Sequence, residues 1–309
     1  MRGYGNGYNR VPPRFPKADS YDSGFSFCRG MYTSVRREAS GSGWSTDYPD
    51  ADVNFSIRFA ELTKARVSRQ RTGDPNHLVV PLGDDWLYNC PSIHIEDVGT
   101  LQFTDDEVDR VRDYLLKGGF IWADDQWGTW AWESWVQQIG RILPPERFPL
   151  VDITPDHPVF KMMFQVPKLI QIPSISHWRR SGGGTSERGA DSAVPIIRGI
   201  SDAHGNLMVL ITHNTDYSDA WEREGEDPQY FYSFSPEGYA LGINIALYAM
   251  THRTPRPPSP RAGGRGIASL AAGMAGFRFA SRGMAAGSLR SPREELAHFV
   301  RAGRVLGFA

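Results

Sequence analysis

Two polar clusters in this chain stand directly behind apolar runs. Asp124, Asp125 and Gln126 follow "FIWA", and His213, Asn214, Thr215 and Asp216 follow "LMVLIT". Carboxylates and imidazole suit Mg, Mn or Zn, so Asp124, Asp125 and His213, with Asp216, are candidates for a divalent-metal site. The same side chains are candidates for general acid and base work in a hydrolysis. A plainer reading stands beside both: Asp125 caps or turns a loop, and His213 is a satisfied polar residue at a strand end. The plainer reading leads, because aspartate at turns is ordinary.

Aromatic residues crowd the first cluster, in "GGFIWADDQWGTWAWESW" (118–135). Trp132 and Trp135 fall on a helical stripe and Trp122 within a strand, which assigns all three to the core. Trp127 and Trp130 fit neither pattern. They are candidates for stacking on a flat ligand, with Asn214 and Asp216 as further ligand-binding candidates, or they roof the core as amphipathic rings; the roof is favoured. Familiar signatures are missing: the chain has no G-x-S-x-G elbow, P-loop, G-x-G-x-x-G or H-E-x-x-H. Its two cysteines, Cys28 and Cys90, are too few for a zinc cluster or a disulfide framework and leave one disulfide as an option.

The elements that would position these residues lie between about residue 49 and residue 252. Asp52 is placed to cap a helix carrying Phe55, Phe59 and Leu62. "HLVVPL" (77–82) and "SIHIE" (92–96) read as strands. In "FTDDEVDRVRDYLLKGG", Thr104 and Glu107 form a capping box with Phe103 and Val108 as its hydrophobic staple, and Gly118 supplies the stop. "FIWA" is a third strand, leading to a helix capped by Thr129 and ended by Pro144-Pro145. "PIIRGI" and "LMVLIT" read as a hairpin, and Ser235-Pro236 opens a last helix. Apolar strands alternating with helices indicate a mostly parallel sheet covered on both faces. If the strands before the two polar clusters run parallel, both clusters open onto one edge, where ligands of such sheets collect.

The flanks differ in character. Residues 1 to 48 are rich in Gly, Tyr, Arg, Ser and Pro and read as an irregular arm. Residues 253–309 carry ten arginines against two acids, a net of +8, which leaves −9 for the first 252 residues of a chain whose total is −1. This basic stretch reads as a disordered or non-native tail, with an arm for anionic partners as the other reading. An acidic folded part makes nucleic acid an unfavoured partner. No apolar run approaches the ~20 residues of a membrane span, and the start as written has no apolar leader segment, so localisation stays open: cytoplasmic from the sequence as given, exported to the periplasm if a leader is missing.

Several blocks together carry a resemblance: "GWSTDYPDADVNF", "CPSIHIEDVGTLQFTDDEVDRVRDYLLKGGFIWADD", "PDHPVF" and "YALGINIALYAMTH". Over residues 43 to 252 the chain resembles the bacterial domain-of-unknown-function family numbered 4159. The resemblance implies a fold similar to class I glutamine amidotransferases, a flavodoxin-like α/β sandwich, and members often occur in exported or membrane-linked settings. Amidotransferase-like relatives carry a nucleophilic cysteine in a strand-to-helix elbow. The corresponding turn here is "WADDQWG", without cysteine, and a carboxylate is a poor substitute for a thiolate in attacking an amide. The expectation is therefore a non-catalytic ligand-binding or scaffold domain for a small molecule or protein partner. The alternative is a hydrolase-like enzyme using Asp124 or Asp125 with His213. No cofactor is expected in the first case, and a divalent metal is the option in the second.

Overall fold

The computed structural model describes residues 11–39 and 41–252, so the basic tail lies outside the described residues. In chain order the elements are β1 (Phe27–Met31), β2 (Thr33–Ser34), α1 (Asp50–Thr63), β3 (His77–Pro81), β4 (Ile93–Ile95), β5 (Leu101–Gln102) and α2 (Asp105–Leu116). Then come β6 (Ile121–Ala123), α3 (Gly128–Ile142), β7 (Leu150–Asp152), α4 (Ile175–Arg180), β8 (Ile196–Ser201), β9 (Leu207–His213), α5 (Asp219–Glu222) and α6 (Pro228–Thr251).

Seven strands form one sheet in the order β3-β1-β4-β6-β9-β8-β7, and β2 pairs with β5 separately. The first five of these are parallel. β8 and β7 run antiparallel at one edge, with β8 and β9 forming the expected hairpin. By order of appearance the parallel strands run 2-1-3-4-5, so the connections reverse direction between β1 and β4. A crevice forms beyond the carboxyl ends at such a reversal.

Alternation along each strand builds a core on either side. One layer gathers Phe27, Trp122 and Leu210 under Phe55 and Phe59 of α1, Trp221 of α5 and the buried face of α6. The other gathers Ile93, Ile95, Ile121 and Val209 under Val111 and Leu115 of α2 and Trp135 and Ile139 of α3. The chain is thus α/β, with a mostly parallel sheet and helices on both faces.

Local signals held where the sequence was explicit. Thr104 and Glu107 make the capping box, and Gly118 takes φ 86°. Four details differ. β1 falls inside the stretch read as irregular, because Arg29 and Gly30 interrupt its apolar run and the group neutralising Arg29 is remote in sequence. Position 49, not Asp52, caps α1, and Asp52 turns inward to Arg29. Trp127 rather than Thr129 occupies the cap of α3, while Thr129 binds Asp191. α6 begins at Asp227-Pro228, a cap and first-position proline eight residues before Ser235-Pro236, and Pro236 lies within the helix. Cys28 and Cys90 form the disulfide left open by the sequence.

Candidate functional site

The site begins with polar side chains on inner strands. Ile93 and Ile95 face one core, so His94 and Glu96 face the other, together with Arg29 of β1. Arg29 is fully buried and donates through Nε and Nη2 to Asp52, 2.5 Å away at the closest. Its Nη1 donates to the carbonyls of Thr46 (2.9 Å) and Trp44 (3.3 Å) and lies 3.5 Å from Glu96. Burial opposes the guanidinium charge, but Asp52 and Glu96 outweigh it and hold the Arg29 pKa above its ordinary value. Arg29 therefore fixes three things: the first turn of α1, the loop leading to Asp47, and Glu96.

Glu96 is fully buried just after β4. Its Oε1 lies 2.6 Å from His94 Nε2 and accepts a hydrogen bond from Ser218 Oγ. Ser218 Oγ also lies 3.0 Å from the same His94 nitrogen. A serine, a histidine and a glutamate in contact invite comparison with a hydrolytic triad. Here both contacts fall on Nε2, and His94 Nδ1 has no hydrogen-bond partner among the described residues. A triad needs the carboxylate on one ring nitrogen and the hydroxyl on the other, so this trio has no relay geometry. Burial opposes ionisation of Glu96, but His94 and Arg29, with the hydrogen bonds, hold its pKa below the ordinary value. Glu96 Oε2 has no hydrogen-bond partner among the described residues.

Asp124 stands at the end of β6 on the same face. It accepts hydrogen bonds from Thr212 Oγ1 and from the Tyr217 amide at 2.8 Å, and Trp122 Nε1 donates to Thr212 at 2.9 Å. Burial, then the Glu96 charge, push its pKa up to about 7. Ligand atoms of His94, Glu96 and Asp124 lie within 4.8 Å of one another.

Further carboxyl groups line the same lip. Asp47, Glu96 and Asp216 form one group with oxygens within 4.8 Å of one another, and Asp47, Asp219 and Glu222 form a second. Asp97 and Asp125 are buried beside them, Asp97 accepting from the Gly43 amide at 2.8 Å and Asp125 from Trp127 Nε1 at 3.0 Å. Burial pushes Asp47, Asp125, Asp216 and Asp219 well above the carboxylate range. The strongest charged influences on Asp47, Asp125 and Asp216 are other carboxyl groups, and all raise the pKa. Asp97 rises to about 8, by burial and then by Glu38.

The residues singled out from the sequence divide. β6 and β9 are parallel, so the two polar clusters do share an edge. Asp124, Asp125 and Asp216 join the carboxyl cluster. His213 does not: it follows Thr212 and so points to the opposite face, where it stacks on Trp132 at 4.9 Å and Nε2 lies 3.2 Å from the Gly128 carbonyl. Burial lowers its pKa. Asn214 accepts from the Gly128 amide and donates to the Val194 carbonyl. Trp127 is buried against Asp125. Trp130 is 55% exposed, with the Arg36 guanidinium over its ring at 3.1 Å from the centroid. The sequence reading passed over Arg29, Asp47, His94, Glu96, Asp97, Ser218 and Asp219. Polar residues at i and i+2 inside "SIHIE" were the available signal for His94 and Glu96.

Fold and cluster together define an α/β domain with a largely buried acidic cluster at the carboxyl edge of its sheet. The chain belongs to the family described as Domain of unknown function (DUF4159), whose sequence profile matches residues 33–250. No curated protein matches the sequence.

Proposed function

We propose that this chain is a ligand-binding domain built on an amidotransferase-like, flavodoxin-like sheet that does not use amidotransferase chemistry. The parallel order 2-1-3-4-5 is the flavodoxin-like order, whose ligands sit at the first reversal point. Asp125 takes φ 49° between β6 and α3, the kind of strand-to-helix turn that presents a nucleophile in hydrolases. The chain's only two cysteines are joined to each other, so no thiol serves that turn. The observation carrying the proposal is the clustering of Asp47, Glu96, Asp125, Asp216 and Asp219 at that edge, with a buried oxygen on Glu96 that has no hydrogen-bond partner among the described residues. Buried polar atoms are nearly always satisfied, and each exception asks for an explanation. A small polar or cationic ligand in the crevice would supply one.

Acid–base catalysis is the second reading, carried by Asp124, whose pKa of about 7 suits proton transfer near neutrality. Against it, Asp124 is fully buried and already accepts from Thr212 and Tyr217, and His213 serves the other face. A thermal-stabilisation screen of the full chain against small polar molecules and divalent cations tests the proposal. Binding sensitive to Asp125→Asn supports it. A screen without any stabilising compound, or with hits indifferent to the crevice carboxylates, overturns it.

A further inference from the structure

Two parts of the acidic lip differ in how well they are satisfied. On one side, Glu96 Oε1, His94 and Ser218 bind one another, and Asp124 accepts from Thr212 and Tyr217. That side is satisfied by its own hydrogen bonds except at His94 Nδ1, which has no partner among the described residues. On the other side, Glu96 Oε2 and Asp47 Oδ2 are buried atoms with no hydrogen-bond partner among the described residues. Glu96 is itself fully buried, and Asp47 and Asp216 are the carboxylates grouped with it there.

We propose that Asp47, Glu96 and Asp216 hold one hard divalent cation of the calcium class, with Asp219 and Glu222 beside it. The proposal rests on the ligand-binding reading above and names the ligand. Three oxygens no more than 4.8 Å apart leave a point within about 2.8 Å of all of them. A small inward movement reaches the 2.3–2.6 Å of calcium–oxygen bonds. The donors are all carboxylate oxygens, without sulfur or imidazole, which selects a hard ion over zinc or copper. Asp47 belongs to both oxygen groups, so Asp219 and Glu222 place further donors next to the site. Calcium takes six to eight oxygens in adaptable geometry, whereas magnesium demands a near-ideal octahedron. Asp47 and Glu222 are half-buried, which leaves a route from solvent. The three ligands come from the loop before α1, the end of β4 and the segment after β9. Binding would therefore tie together both sides of the reversal between β1 and β4.

The test uses the full chain stripped with chelator and then titrated with Ca2+, Mg2+, Mn2+ or Tb3+. Calcium at a hundredfold its Kd is expected to raise Tm by roughly 5–10 °C. Terbium is expected to luminesce on excitation of nearby aromatic rings, Trp221 adjoining Glu222 in the chain. Asp216→Asn and Asp47→Asn are expected to weaken calcium at least tenfold while near-ultraviolet circular dichroism stays native. Asp191→Asn, which belongs to neither oxygen group and binds Thr129, is the control. No Tm shift with any of the ions, together with terbium emission no stronger than in the Asp47→Asn/Asp216→Asn double variant, overturns the cation site. Under that result an Asp125-dependent small polar ligand would leave the broader proposal standing, and the absence of one would remove both. A manganese or magnesium preference over calcium overturns the assignment of ion class.

Discussion

Replacing Arg29 by Met tests the strut beneath the crevice. Methionine approximates the arginine stem but has no charge, so the change removes the guanidinium with little loss of packing. Four hydrogen-bond acceptors lose their donor: both Asp52 oxygens and the carbonyls of Thr46 and Trp44. Asp52 is then a fully buried carboxylate without its partner, and Glu96 loses the cation at 3.5 Å. Breaking one side of such a buried pair costs about 3–5 kcal/mol, since the remaining charge stays desolvated. For a folded region of this size the expected fall in Tm is roughly 6–20 °C. Asp52→Leu alone is expected to cost about as much, by stranding Arg29. In the double variant no charge of that pair is stranded, so its cost should fall short of the sum by about 2 kcal/mol or more. Chemical denaturation of the four proteins closes the cycle. A loss below about 1 kcal/mol for Arg29→Met, or additive costs in the double variant, would refute the strut.

Three further outcomes follow from particular contacts. Carboxyl groups whose folded pKa is raised hold their protons in the native state after the unfolded chain has released them, so stability falls as pH rises. With Asp124 near 7 and Asp97 near 8, the fall should run from about pH 4 to about pH 8 in chelator, and Asp124→Asn should flatten it; stability that is constant or rising across that range would contradict this. At Gly242 an added Cβ would meet Trp221 at 2.6 Å and Phe55 at 2.9 Å, so Gly242→Ala should cost about 1–3 kcal/mol by overpacking, read by urea denaturation. Asn214→Ala removes the acceptor for Gly128 and a donor to Val194 at a position with φ 60°, and about 2 kcal/mol should be lost without any effect on calcium binding.

Much of the scaffold was legible because its signals are local. The capping box at Thr104 and the glycine stop at Gly118 act over a single helical turn, and "LMVLIT" is apolar on both faces because it sits mid-sheet. β1 was not legible, since "FCRGM" is a good strand only once Asp52 lies against Arg29. The same contact explains the misplaced cap of α1: an aspartate in a first turn suits the helix dipole whether it caps or turns inward. For the acidic cluster, the spacing brought Asp124, Asp125 and Asp216 to one sheet edge, as the parallel pairing of β6 and β9 does, but could not assign faces. His213 and Thr212 are neighbours in sequence, and only alternation within a strand of known register separates them. Asp47 and Asp219 looked like ordinary turn aspartates, and the sequence has no pattern linking residues so far apart.

The two halves of the lip bear differently on function. A polar network kept for architecture is expected to satisfy itself, because a half-satisfied one is worse than an apolar core. Arg29, Asp52, His94, Ser218 and Asp124 largely meet that standard. Asp47 does not, having a buried oxygen without a hydrogen-bond partner among the described residues, and burial with neighbouring carboxyl charge holds the pKa values of Asp47, Asp125, Asp216 and Asp219 high, which lowers stability at neutral pH. Folds accept local conflicts of this kind mainly where a site needs them. Glu96 joins the halves: its Oε1 is bound to His94 and Ser218, its Oε2 has no hydrogen-bond partner among the described residues, and the residue also belongs to the group with Asp47 and Asp216. A ligand taken up by the open half would therefore act on a carboxylate already held in place by the closed one. That preorganisation lowers the cost of binding. It also explains why the charged strut lies in β1, at the reversal point, and not at the sheet's edge.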